Sequence, residues 1–181
     1  MAAILPLNAP TGPPPGYCVV RGWVTSTIPE CDYGAVLLPG AGSTDVGHFG
    51  LARLPGARPK DEWLNVAGYA IDGSNTAQWY EGFQVADTDD SFLRRTLGFR
   101  GAAPGSPLWL YMTRNGRAQR YVCGLVSSNA DSGEALRLSR DIYSNLIDWI
   151  GKAANAGPEA PGGPTTGAVG SGGQPTVAQS G

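Results

Sequence analysis

Residues 108–126 read LWLYMTRNGRAQRYVCGLV, two apolar-rich runs joined by Asn115-Gly116. Asn-Gly tolerates positive φ at both central positions of a tight turn, and that backbone twist matches the twist of paired strands. The stretch therefore predicts an antiparallel hairpin. Short runs of the same character recur on both sides, separated by Gly, Pro, Asn and Asp. They predict strands over Cys18–Trp23, Tyr33–Leu38, Trp63–Tyr69, Ala77–Val85, Phe92–Leu97, Leu108–Thr113, Gln119–Val126 and Ala135–Leu138. Their regular spacing favours an antiparallel sandwich or barrel. One helix follows. In residues 139–150 the apolar Ile142, Tyr143, Leu146, Ile147 and Ile150 recur at helical spacing, with Trp149 beside that stripe. Ser139 suits the N-cap, Asp141 complements the helix dipole, and Gly151 suits a left-handed stop.

Composition sets the outer limits. The 181 residues include 27 Gly and 15 Pro, well above the average share of about 12 % for the two together. Residues 10–16 (PTGPPPG) cannot form regular structure, because proline lacks the amide hydrogen. Residues 152–181 hold eight Gly, four Pro and no aromatic residue, too little apolar surface to offset the entropy of ordering. The expected organisation is a flexible start over 1–16, one domain over 17–150 and a disordered tail over 151–181. A formal net charge of -2 gives no electrostatic reason to bind nucleic acid. No apolar run approaches the roughly 20 residues of a membrane span. Residues 2–7 are too short, and lack a preceding cation, for a signal peptide.

Single residues add little by themselves. Cys18, Cys31 and Cys123 show no CxxC spacing and point to no metal site. A Cys18–Cys31 bridge stays open beside the plainer reading of small packed thiols. Asp87, Asp89 and Asp90 lack the Gly and distal Glu of a calcium loop and read as a solvated turn. Arg94, Arg95, Arg114 and Arg117 read as solvated hairpin ends. No cofactor motif is present.

Three stretches in order carry a resemblance: residues 20–38 (VRGWVTSTIPECDYGAVLL), residues 46–73 (with VGHFGLARL and LNVAGYAIDG) and residues 101–150 (with GAAPGSPLW, RYVCGLVSS and LRLSRDIYSNLIDWI). Together they resemble the trypsin-like serine peptidases, in their bacterial glutamyl-endopeptidase or V8-like branch. The resemblance implies an all-β fold of antiparallel barrels ending in a helix, of which this chain would hold the second barrel and a remnant of the first. It implies serine-endopeptidase chemistry, which needs a Ser nucleophile, a His base, an Asp partner and two amides aimed at the oxyanion.

The catalytic motif departs from that pattern. Asp32, in DYGAVLL, matches the triad aspartate. The family's Gly-x-Ser-Gly-Ser-Pro reads Ala102-Ala103-Pro104-Gly105-Ser106-Pro107 here, so Pro104 stands at the nucleophile and Ala102 at the oxyanion-loop glycine. Ser106 matches a non-catalytic serine and would have to act out of position. No His precedes Asp32; the single histidine, His48, reads as a loop residue. Val126 stands where glutamyl-specific relatives carry a pocket histidine. The resemblance thus implies an inactive homologue, N-terminally truncated, whose remaining role is binding a peptide or protein segment. The alternative is an active secreted endopeptidase with an unusual active site. Relatives are typically secreted, and no export signal is seen.

Overall fold

The hairpin expected over residues 108–126 forms in the computed structural model. Strands β8 (Pro107–Arg114) and β9 (Arg117–Val126) pair antiparallel with Arg114 opposite Arg117, leaving Asn115 and Gly116 as a two-residue loop. Their φ angles, 51° and 73°, are both in the left-handed region that the turn requires. The structure describes residues 16–37, 47–69, 78–99, 104–127, 132–155, 166–170 and 177–179. They fall into two compact units, Phe49–Tyr143 and the two flanking segments, Met1–His48 with Ser144–Gly181.

The Phe49–Tyr143 unit is built on one curled, mainly antiparallel sheet. Its other strands are β3 (Gly50–Leu51), β4 (Trp63–Tyr69), β5 (Gln78–Gln84), β6 (Asp87–Thr88), β7 (Phe92–Arg94) and β10 (Glu134–Arg137). The order is β5-β4-β8-β9-β10-β7-β6, with β3 parallel to β9. Alternation along the strands sends Leu64, Val66, Phe83, Leu93, Leu108, Leu110 and Cys123 into one buried cluster. Side chains link the two halves of the sheet: Arg95, just after the penultimate strand β7, donates two hydrogen bonds to the Glu81 carboxylate on the end strand β5, at 2.8 and 2.7 Å.

In the other unit, β1 (Gly16–Val20) pairs antiparallel with β2 (Gly34–Leu37). Strand prediction over Cys18–Trp23 fails at its second half, where α1 (Arg21–Ser26) begins. Thr27 takes a left-handed conformation and donates its amide to the Trp23 carbonyl at 3.0 Å, while Ile28 donates to Gly22. That local turn overrides the β preference of Trp23 and Val24. Two short strands lie within the stretch that composition reads as a tail: β11 (Thr166–Gly170), parallel to β1, and β12 (Val177–Gln179), antiparallel to β11.

Helix α2 runs over Arg140–Asn155 and continues past Gly151, the expected stop. The Ser139 hydroxyl accepts the Ile142 amide at 3.3 Å, as its N-cap role requires. The buried face is rotated from the expected stripe: Ile142, Asn145, Leu146 and Trp149 are buried, whereas Ile147 and Ile150 are exposed. Trp149 is the large residue on that face, and its ring lies 5.9 Å from Tyr33, whose hydroxyl accepts a hydrogen bond from Asn145. Among the described residues no helix is long and apolar enough to cross a membrane.

Candidate active site

Four of the residues singled out by sequence meet at one place. Gly105 donates its amide to the Val126 carbonyl at 2.7 Å, and Val126 donates its amide to the Ser106 carbonyl at 2.9 Å. The two bonds extend the β8–β9 ladder past Pro107 and pin residues 104–106 beside Val126. Gly105 makes the approach with φ of 89°, a conformation an L side chain adopts only with strain. Pro104 is exposed, while Ser106 is only 8 % exposed. Ala102 lies outside the described residues.

This geometry limits the chemistry available. Pro104 carries no hydroxyl and no amide hydrogen, so the position can supply neither nucleophile nor oxyanion donor. The next amide, that of Gly105, is already committed to Val126. Ser106 is turned into the fold at a position that closes a ladder. Val126 is buried and apolar, and brings no charge to read a glutamate side chain.

Asp32 and His48 belong to the other unit. Asp32 follows a short 3-10 turn over Pro29–Cys31, donates its amide to Pro29 at 3.1 Å and is half-buried just ahead of β2. His48 is exposed. The cysteines stand as thiols, with Cys18 and Cys123 buried and Cys31 half-buried.

Other charged groups are more engaged than their spacing suggests. The Asp89 carboxylate accepts the amides of Ser91 and Phe92, each at 2.8 Å, and pairs with Arg94 at 2.6 Å. Burial works against ionisation there, yet the guanidinium and the two amides hold Asp89 below the usual carboxylate value. Asp87 pairs with Lys60. Among the described residues no three His, Cys, Asp or Glu side chains are grouped to hold a metal. Arg95 is not a solvated hairpin end: its side chain is 8 % exposed, paired with Glu81 and stacked on Phe83 and Phe99. Arg137, which no sequence signal marks, is buried and donates to the carbonyls of Leu54, Gly56 and Asp89.

Comparison with solved structures bears on the fold. A Glu endopeptidase, solved in complex with MPD, superposes with a TM-score of 0.56 over 74 % of this chain and 61 % of that chain, at 15 % sequence identity. The fold is trypsin-like. By sequence, the chain is 23 % identical over 130 residues to the extracellular metalloprotease of Bacillus subtilis (strain 168). That match takes in 72 % of this chain and 41 % of the relative, so the chain spans well under half the length of that protein. No family model matches the sequence.

Proposed function

We propose that this chain is a non-hydrolytic protein of trypsin-like fold that acts by binding a peptide or protein segment. Pro104 carries the reading. A base can come from elsewhere in a longer polypeptide, but a hydroxyl at the nucleophile position cannot. Loss of one oxyanion donor alone typically slows such enzymes by about 10²–10³, before the absent nucleophile is counted. The buried Ser106, with its carbonyl held by Val126, supports the same conclusion, because a substitute nucleophile must reach both a base and a substrate.

The test is a fluorophosphonate probe with intact-mass readout on the purified chain, with a working serine peptidase as positive control. No adduct is expected. A single adduct mapped to Ser106 by peptide sequencing would overturn the proposal and favour an endopeptidase acting through an unusual site.

A further inference from the structure

The sheet of the Phe49–Tyr143 unit has a second face, opposite its buried cluster. On β4, β5, β8 and β9 the alternation that sends Leu64, Phe83, Leu108 and Leu110 inward sends Trp63, Asn65, Tyr80, Trp109, Tyr111 and Arg120 to the other side. Asn65 stands opposite Trp109, and Tyr111 opposite Arg120. Trp63, Tyr80 and Tyr111 are 64 %, 62 % and 57 % exposed, a concentration of aromatic surface unusual for a solvent face.

The face is held rigid. Asn65 accepts the Tyr80 hydroxyl at 2.5 Å and donates to the Trp109 carbonyl at 3.2 Å. Trp109 meets Tyr111 edge-on at 5.4 Å. The Arg120 guanidinium lies 5.6 Å from the Trp109 ring centre and 5.7 Å from that of Tyr111, with its Nε donating to the Tyr111 hydroxyl at 3.3 Å.

Arg120 is the cation on this face, and no acidic group there answers it. Among the described residues it enters no ion pair, unlike Arg58, Lys60, Arg94, Arg95 and Lys152. Its terminal nitrogens donate to nothing described, and the Trp109 indole N–H likewise has no acceptor. None of the residues that β4, β5, β8 and β9 direct to this face is acidic. A guanidinium clamped by two rings, with its outer fork free, is preorganised for a carboxylate.

We propose that this face binds an extended acidic peptide, with Arg120 taking a carboxylate and Tyr80 and Trp63 supporting an apolar residue of the same segment. From β5 to β9 is three strand spacings, about 14 Å, which an extended peptide crosses in about four to five residues. A single cation suits a peptide better than a nucleic acid, whose affinity comes from neutralising several phosphates. The proposal does not depend on whether residues 104–106 hydrolyse anything.

The experiment measures fluorescence anisotropy of labelled peptides on the full chain. The probes are a glutamate-rich peptide carrying leucines, the same peptide with glutamines, and an oligothymidylate. The glutamate peptide should bind at least tenfold more tightly than its glutamine counterpart, a difference of about 1.4 kcal/mol or more. Arg120→Gln should weaken binding at least tenfold, and Trp63→Ala several-fold. Arg117→Gln should change it less than twofold, because residue 117 lies on the opposite face of β9. Arg120→Lys guards against misfolding: it keeps the charge, loses the two-toothed geometry and should bind weakly while melting like the parent. Equal binding of both peptides, an unaffected Arg120→Gln, equal binding of the oligothymidylate, or no binding of any probe would each overturn the proposal.

Discussion

Replacing Arg137 with methionine should remove a tie that spans the Phe49–Tyr143 unit. The side chain is 5 % exposed, and burial pushes its guanidinium pKa down. One terminal nitrogen donates to the Asp89 carbonyl at 2.5 Å and to the Thr88 hydroxyl at 3.2 Å. The other donates to the Gly56 carbonyl at 2.8 Å and also to that of Leu54. Hydrogen bonds from a charged donor contribute about 1.5–3 kcal/mol each. Removing the guanidinium also returns several kcal/mol of its own desolvation. The difference leaves a net loss of about 3 kcal/mol, most of it the cost of stranding the buried Leu54 carbonyl and its neighbours. With an m-value of about 2 kcal/mol/M, the urea midpoint should fall by about 1.5 M, followed by tryptophan fluorescence. Arg137→Lys should recover little, since one ammonium cannot reach acceptors on both sides and still carries a buried charge. A midpoint shift below about 0.5 M for the methionine variant would refute the reasoning and mean that water satisfies those carbonyls.

Two further outcomes follow from titrating groups. The Arg95 hydrogen bonds, against the opposing effect of burial, hold Glu81 below its ordinary value of 4.5. Its contribution to stability is present above that value and is lost as pH falls through the lower folded one; Glu81→Gln should flatten stability below about pH 4.5, read from urea midpoints at a series of pH values. Burial pushes the Cys123 thiol up to about 12, so iodoacetamide at pH 8 should modify half-buried Cys31 in the native protein and reach Cys123 only on unfolding. Mass-mapped alkylation of native Cys123 ahead of Cys31 would contradict it.

The elements that local chemistry dictates were legible in the residues alone. Asn115-Gly116 sets its hairpin through the positive φ both positions accept, and β4 occupies Trp63–Tyr69 as the alternation predicts. Ser139 caps α2 through its own hydroxyl. The proposed loss of the nucleophile also rests on the chain alone, since proline has no hydroxyl wherever it is placed. What partners a side chain across the fold was not legible. Arg95 and Arg137 look like ordinary surface cations until β5 and the Leu54–Gly56 turn are brought to them. The helix face was read from hydrophobicity and came out rotated, because Asn145 gains a buried partner in Tyr33 that periodicity does not count. Gly105, Ser106 and Val126 meet through two backbone bonds between residues some twenty positions apart. Arg120 lies against two aromatic rings only because strand register sets it opposite Tyr111. Sequence by itself determined the β8–β9 hairpin and its turn, strand β4 and the α2 cap, each decided within a few residues. Tertiary structure alone decided which charges are buried, which are answered and which face is left open, because those depend on contacts between distant residues that no local pattern encodes.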